Sequence, residues 1–334
     1  MKKYNVAVAG ATGAVGIEMI QILEERNFPV NEIRLLASKR SAGKKMTFNG
    51  AEVTIQELTH DSFEGIDIAL FSASGDISLE YAPSAVKAGA VVVDNSSAYR
   101  MYDEVPLVVP EVNPEAAKNH KGIIANPNCT TAIAAVALWP LHKEFGLKKV
   151  IVSTYQAASG AGAPGMNELI DGIKAGIEGK EVENKVFAHP LPYNVIPHID
   201  KFQENGYTKE EMKVTWETRK IFSEPELAVS CTAVRIPTLR AHSESIVVET
   251  EKDITAEAAR TVLEQSAGVK VVDNINENIY PMPLNAAENW DVEIGRIRQN
   301  IIFGSKGLEF FVSGDQLLKG AALNAVQIAE LLID

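Results

Sequence analysis

Residues Tyr4-Asn5-Val6-Ala7-Val8-Ala9 run straight into Gly10-Ala11-Thr12-Gly13-Ala14-Val15-Gly16, and an amphipathic stretch follows from Ile17 to Glu25. A buried strand, a glycine turn and a helix in that order admit few architectures. The strand has little polar alternation, as expected when helices cover both faces of a parallel sheet. The glycines let the chain turn tightly and bring the helix N-terminus to the strand end, where free backbone N–H groups can hold a pyrophosphate. The spacing is G-x-x-G-x-x-G rather than G-x-G-x-x-G, so placement directly after a strand carries more weight than the pattern. A glycine turn without a ligand is the plain alternative.

Ile33-Arg34-Leu35-Leu36-Ala37 reads as the second strand. An NAD site usually places an acid at its end, on the ribose 2′-hydroxyl. This chain has Ser38-Lys39-Arg40-Ser41-Ala42-Gly43-Lys44 there, with three cations and no acid. That composition suits a 2′-phosphate, so the expected cofactor is NADP; a solvated basic loop is the alternative. Further strands are expected at Asp67–Phe71, Val91–Asp94 and Leu107–Val109, with a helix from Leu79 to Ala88. Strands alternating with helices imply an α/β domain with a Rossmann-like, doubly wound parallel sheet. Ser72-Ala73-Ser74-Gly75 and Asn95 to Arg100 follow strand ends, where such sheets bind ligands, and Arg100 is a candidate anion ligand.

The character changes after the helix that follows Cys129. Lys149–Gln156 is expected as a strand, Ala157–Gly165 as a mobile glycine-rich loop, and Met166–Glu178 as a helix. Pro190–Pro197 cannot form regular structure. Thr208 to Glu211 has capping-box spacing and opens a helix through Lys220. Strands Val229–Arg235, Ser245–Glu251, Val269–Val272 and Asn300–Val312 follow with one helix, Ala256–Gln265, which suggests a second α+β catalytic and dimerisation domain with a mixed sheet. The last element, Leu317–Leu332, is expected to be a helix that packs back on the first domain. The expected division is 1–127 for the NADP-binding domain, completed by the C-terminal helix 315–334, and 128–314 for the second domain. A length of 334 residues fits two domains.

A net charge of −12 argues against nucleic acid or an anionic membrane as partner. Two cysteines and no export signal point to a cytoplasmic protein without a disulfide framework. The six histidines show no metal-ligand spacing, so no metal is expected.

Asn126-Pro127-Asn128-Cys129-Thr130-Thr131 lies between an apolar run (Gly122–Ala125) and the helix-forming Thr130–Leu138. Pro127 blocks helix, and Asn128 is a good N-cap type, so the Cys129 thiol belongs in a first helical turn. Free N–H groups and the positive dipole end lower a thiol pKa there and can hold an oxyanion. On this stretch alone Cys129 reads as a nucleophile toward a carbonyl or as a small core residue. Its candidate base is His242, flanked by polar residues in a loop between strands. Glu217 and Lys220 are three apart on one helix and would, taken alone, be a surface ion pair.

Taken together, these pieces resemble the bacterial aspartate-semialdehyde dehydrogenase family over essentially the whole chain: Gly10 to Gly16, Ser38 to Gly43, Pro127-Asn128-Cys129-Thr130, Gln156 with Ser159-Gly160, Glu217 with Lys220, and Arg235 to Glu244. The resemblance implies reductive dephosphorylation of L-4-aspartyl phosphate to L-aspartate 4-semialdehyde through a Cys129 thioester. That reaction serves lysine, threonine, methionine and diaminopimelate biosynthesis. By the same resemblance His242 is the acid/base, Gln156 orients the acyl group, Asn128 belongs to the catalytic set with Cys129, Arg235 grips the α-carboxylate and Glu217 the ammonium. Arg100 and Lys220 hold phosphate. Gly10, Thr12, Gly13, Ala14, Val15, Gly16, Arg40, Ser41, Ser159, Gly160 and Gln316 touch NADP, and the enzyme is a homodimer. The competing readings are an N-acetyl-γ-glutamyl-phosphate reductase, more distantly a glyceraldehyde-3-phosphate-type dehydrogenase, and a catalytically dead NADP-binding regulator. Cys129→Ser should keep NADP binding and lose at least ~10³-fold in turnover, because an alkoxide forms far less readily than a thiolate at neutral pH. Cys231→Ala, in an apolar strand, should keep most of the activity; near-normal turnover in Cys129→Ser would remove the thioester.

Overall fold

The computed structural model describes residues 2–333. It divides into two compact units, one comprising residues up to Asn128 with those from Gly320 on, the other Cys129–Lys319. Residues 1 and 334, the outer ends of the first expected domain, lie outside the described residues.

The first unit carries a six-stranded sheet built from β1 (Tyr4–Ala9), β2 (Val30–Ala37), β5 (Gln56–Glu57), β6 (Ile68–Phe71), β7 (Val91–Asp94) and β8 (Ile123–Ala125). The order is β5-β2-β1-β6-β7-β8 and every pairing is parallel. Helix α1 (Ala14–Glu25) crosses from β1 to β2, and α2 (Gly75–Lys87) crosses from β6 to β7. The winding therefore reverses between β1 and β6, and this is the position where such sheets open a crevice. Gly10 has φ +87°, and a Cβ there would stand 2.1 Å from the Ser72 carbonyl oxygen; at Gly16 it would stand 2.3 Å from the Gly10 carbonyl oxygen. Only glycine allows β1, α1 and the end of β6 to approach this closely.

Two elements of this unit differ from expectation. Leu107–Val109 is no strand: Leu107 makes a single parallel bridge to Ala125, because Pro106 and Pro110 frame the segment and supply no N–H. The terminal helix forms over 318–330, but it opens with a wider turn than an α-helix has. A π-helical turn, Leu318–Ala322, precedes α8 (Leu323–Glu330), and Gly320, a poor helix former, sits inside the wide turn. The hairpin of β3 (Lys45–Phe48) and β4 (Ala51–Thr54) was not anticipated, although Asn49-Gly50 at its tip, both with positive φ, is a strong hairpin signal.

The second unit has a mixed sheet of β9 (Leu147–Gln156), β10 (Ala228–Arg235), β11 (His242–Thr250), β12 (Val269–Val271), β13 (Val292–Gln299) and β14 (Gly307–Gly314). Its order is β10-β9-β11-β14-β13-β12, with β10–β9 and β12–β13 parallel and the rest antiparallel. The expected single strand Asn300–Val312 is instead the second half of a hairpin. The Asn300 side-chain oxygen accepts N–H groups from Ile302 (3.0 Å) and Phe303 (3.1 Å), which turns the chain before β14. The expected mobile loop 157–165 is ordered: a 3₁₀ turn, Ala158–Ala161, leads into α4 (Gly162–Ile177), whose first turn tolerates Pro164.

Helices α3 (Cys129–Phe145) and α5 (Lys209–Phe222) cover one face of this sheet, while α6 (Ala256–Glu264) packs on α3 and the β12–β13 edge and the short α7 (Pro283–Ala286) lies near β14. The capping box forms as expected: Thr208 N–H donates to Glu211 (2.6 Å), and Glu211 N–H donates to Thr208 Oγ1 (3.3 Å). The other oxygen of Glu211 accepts from Ala233 N–H at 2.9 Å and ties α5 to β10. Along β9, Val150, Val152, Thr154 and Gln156 are buried, whereas Ile151 and Tyr155 are exposed on the opposite face, where the Tyr155 ring lies 5.9 Å from that of Phe311. That face is open and partly apolar. Among the described residues no helix is long and apolar enough to cross a membrane.

Candidate active site

In the first unit, a cavity of about 390 Å³ opens at the β1–β6 switch point, lined among others by Gly10, Thr12, Gly13, Ser38, Lys39 and Tyr81. Helix α1 begins beside it at Ala14-Val15-Gly16, with no side-chain cap and no acid in its first turn, which leaves its N-terminal N–H groups for an anion. The glycine cradle, the uncapped helix end and Lys39 fit a dinucleotide with an added phosphate. Arg40 is exposed and Ser41 is buried in the same loop. Arg100 is not a surface residue. It is buried, with Nε donating to Asn126 O (2.8 Å) and Nη2 to Asn95 O (2.9 Å).

In the second unit, one end of the sheet gathers most of the remaining candidates. Arg235 pairs with Gln156 across β10–β9, and His242 opens β11, opposite Gly314 of β14. His242 is therefore the first residue of a strand and not part of a loop as expected. Ala241 before it has φ +66°, and its N–H donates to Gln316 Oε1 at 2.7 Å. The Gln316 amide also donates to the Ser159 hydroxyl. Gln316 thus fastens the 3₁₀ turn to the start of β11, with both ends of its amide engaged. Asp315 holds the same corner, through an ion pair with Arg240 at 2.6 Å.

His242 is fully buried. Its Nδ1 accepts the Ala157 N–H at 3.1 Å, which assigns the proton of the neutral ring to Nε2. Burial pushes its pKa well below the usual histidine value, and the Arg235 charge adds to the effect. The ring therefore stays neutral and presents Nε2–H, an atom with no hydrogen-bond partner in the protein. As folded it is a donor; taking the thiol proton, as expected from sequence, requires the other tautomer. Arg235 donates from Nη1 to Ala157 O (2.6 Å) and lies over the Phe187 ring. Burial lowers its pKa, while Glu210 and Cys129 act in the opposite sense, so both lie within electrostatic reach of the guanidinium. A Cβ on Gly160 would fall 2.7 Å from Arg235 Nη1 and 3.3 Å from His242 Nε2. Gly160 is the floor between the two side chains.

Cys129 is the first residue of α3 and half-buried, directly after buried Asn128. Cys231 is buried in β10 and its thiol is pushed well up by desolvation, as suits a packing residue. Glu217 is 1% exposed, which rules out a surface ion pair, and Lys220 is half-buried on the same helix face. A cavity of about 470 Å³ lies in this unit, bordered by Arg235, Phe187, Ile196, His198, Asp200 and Lys185. Sequence reasoning missed Thr154 and Glu210, which hydrogen-bond the Gln156 side chain; Glu210 was legible only as the residue two helical turns before Glu217 on the same face.

A dinucleotide-type sheet, together with a second mixed-sheet unit carrying a cysteine at a helix start, a buried histidine and a buried arginine, defines a dehydrogenase class that works on acyl groups. Residues 5–120 match the semialdehyde dehydrogenase NAD-binding domain, and residues 138–319 match the semialdehyde dehydrogenase dimerisation domain. The chain is 54% identical to the aspartate-semialdehyde dehydrogenase of Aquifex aeolicus, covering 99% of this chain and 98% of that one. Among solved structures, aspartate-semialdehyde dehydrogenase II of Vibrio cholerae, complexed with ASA, superposes with TM-score 0.97 at 44% identity, covering 99% and 98% of the two chains. The aspartate-semialdehyde dehydrogenase of Candida albicans, solved with NADP, superposes at 0.76 with 26% identity over 99% and 98%. The chain belongs to the aspartate-semialdehyde dehydrogenase family.

Glu244, two residues after His242, is fully buried with neither carboxyl oxygen hydrogen-bonded, and desolvation raises its pKa well above 4.5. A carboxyl whose pKa is higher folded than unfolded stabilises the fold fully below pH 4.5 and less as pH rises through the folded value. Glu244→Gln removes that dependence. The urea midpoint of the variant relative to the parent should therefore shift in the variant's favour from about pH 5 to about pH 8. A pH-independent difference would mean that Glu244 ionises in a hydrated site.

Proposed function

We propose that this chain catalyses NADPH-dependent reduction of L-4-aspartyl phosphate to L-aspartate 4-semialdehyde with release of phosphate, and the phosphorylating oxidation in reverse. The observation that carries this is the Cys129 thiol at the first residue of α3, within electrostatic reach of buried Arg235, in a chain of this family.

Cys129 attacks the acyl carbon of the aspartyl phosphate. The bond to phosphate breaks and a thioester forms on the sulfur. NADPH supplies, when bound, the hydride that the acyl carbon accepts. The chain's own residues prepare that carbon. The N–H groups of the α3 first turn face the charge that gathers on its oxygen. His242 holds and moves a proton at Nε2. Collapse returns the thiolate to Cys129 and frees the aldehyde. Gln156 orients the acyl group, Arg235 pairs with the α-carboxylate and Glu217 with the ammonium, while Arg100 and Lys220 serve phosphate. Gly10 to Gly16, Ser38, Lys39, Arg40 and Ser41 hold the cofactor's phosphates, and Ser159, Gly160 and Gln316 line its remaining contacts. The enzyme works in the cytoplasm as a homodimer, for which the open face of the second sheet, with Ile151, Tyr155 and Phe311, is the natural surface.

Two outcomes check this reading. The cations after β2 pair with a 2′-phosphate, worth roughly 1.5–3 kcal/mol per charged hydrogen bond. Arg40→Ala should weaken NADP and leave NAD little changed; equal loss of both would make Arg40 structural. The second outcome separates this substrate from an N-acetylated one, which has no ammonium and would strand the buried Glu217 carboxylate. Glu217→Gln should lower kcat/KM for aspartate semialdehyde by roughly 10²-fold with cofactor affinity unchanged. Parent activity favouring N-acetylglutamate semialdehyde, or a Glu217→Gln variant like the parent, would overturn the substrate assignment.

A further inference from the structure

Residues 182–196, between α4 and α5, form an irregular strap whose course is nevertheless closely determined. Glu168 of α4 takes three successive backbone N–H groups from it. Its Oε2 accepts from Lys185 and Val186, each at 2.6 Å, and its Oε1 accepts from Phe187 at 3.1 Å. Burial opposes the Glu168 charge, but the N–H groups of Lys185, Phe187 and Val186 outweigh it and hold the carboxyl below the usual carboxylate range. The Asn184 amide donates to Phe187 O at 3.2 Å. Glycines let the strap lie against the helix: a Cβ on Gly165 would stand 3.0 Å from Phe187 Cζ, and one on Gly172 would stand 2.7 Å from Pro192 Cγ. Downstream, Ile196 exchanges both backbone hydrogen bonds with Arg235, at 2.8 and 3.0 Å.

This clasp sets one side chain against the candidate site. The Phe187 ring packs on the buried cluster of Ala158, Leu169, Leu191 and Ile196, and the Arg235 guanidinium carbon lies 5.7 Å from its centroid. An aromatic face attracts a guanidinium and leaves the edge of the plane, where the N–H groups are, free to bind. One of those N–H groups is used, from Nη1 to Ala157 O. Arg235 makes no other side-chain hydrogen bond among the described residues, and it borders the cavity of about 470 Å³ whose wall the strap builds with Lys185, Val186, Phe187 and Ala188.

We propose that Phe187 is a positioning residue for Arg235, and that Glu168 clasps the strap so that the Phe187 ring turns the edge of the guanidinium toward the α-carboxylate of the substrate. The proposal rests on the function given above, in which Arg235 pairs with that carboxylate. A guanidinium grips a carboxylate through two parallel N–H groups only when its plane is correctly turned. Ala157 O fixes one nitrogen, and the ring fixes the plane. A carboxylate suits the clasp because both of its oxygens accept. An amide in its place would set an NH₂ group against a backbone N–H.

The test compares KM with kcat, using whichever semialdehyde the parent turns over, since both candidates carry an α-carboxylate. Phe187→Ala should raise the KM for the aldehyde about tenfold and leave kcat and the KM for NADP near parent values. Phe187→Tyr, which keeps the ring, should have a parent-like KM. Glu168→Gln should raise the KM in the same direction and add little in a Phe187→Ala background. Trypsin should also cut Glu168→Gln after Lys185 faster than it cuts the parent. Arg235→Lys keeps the charge and loses the bidentate grip. A parent-like KM in that variant would overturn the role of Arg235 and the proposal with it. A raised KM in Arg235→Lys beside a parent-like KM in Phe187→Ala would overturn the proposal alone. So would a fall in kcat as large as the rise in KM, which marks general damage to the fold.

Discussion

Strand β9 is the constraint on which the second unit depends. It is paired in parallel with β10 on one side and antiparallel with β11 on the other, so its register decides what stands beside Gln156. Arg235 arrives from β10 at the same level, and His242 from the first position of β11. A slip of one residue in either pairing would turn the partner side chain to the open face of the sheet. The site is therefore built by backbone pairing before any side chain contributes.

The polar groups at that end of the sheet are buried, and their burial determines their chemistry. His242 stays neutral because desolvation and Arg235 both oppose its charge, and the Ala157 N–H decides which nitrogen bears the proton. Arg235 keeps its charge against burial with help from Glu210 and Cys129. Gly160 leaves the gap between them open. Ala241 holds a left-handed conformation, uncommon for a residue with a Cβ, with its N–H bonded to Gln316. Strain of this kind persists where surrounding hydrogen bonds determine the backbone. The same corner is gripped by Asp315 through Arg240, so the start of β11 is anchored from two sides.

The first unit solves a different problem, that of bringing backbone close to a phosphate. Gly10 and Gly16 permit contacts that any Cβ would block, and the uncapped end of α1 faces the cavity they shape. Buried Asn126 and Asn324 are hydrogen-bonded to each other, and Asn324 also reaches Val108 O at 3.0 Å. Through these contacts the end of the chain closes the unit that its beginning opened.

Much of this was legible in the sequence, where the relevant physics is local. Glycine spacing after an apolar run specified the first turn, Pro127 and Asn128 placed Cys129 at a helix start, and Thr208 with Glu211 marked the start of α5. Each depends on backbone freedom or on a hydrogen bond a few residues long. Elements governed by distant partners were not legible. Leu107–Val109 looked like a strand, yet its flanking prolines leave it only one bridge. Residues 157–165 looked mobile, yet they are ordered by contacts with Thr238, Leu239 and Gln316. His242 looked like a loop residue because polar neighbours hide a strand whose inward face is buried by helices. Sequence alone determined which residues can do chemistry and where helices and turns begin. Tertiary structure alone decided that Glu217 is buried, that the Gln156 amide is hydrogen-bonded to Thr154 and Glu210, and that the His242 proton sits on Nε2, because burial and hydrogen-bond partners belong to groups far apart in the chain.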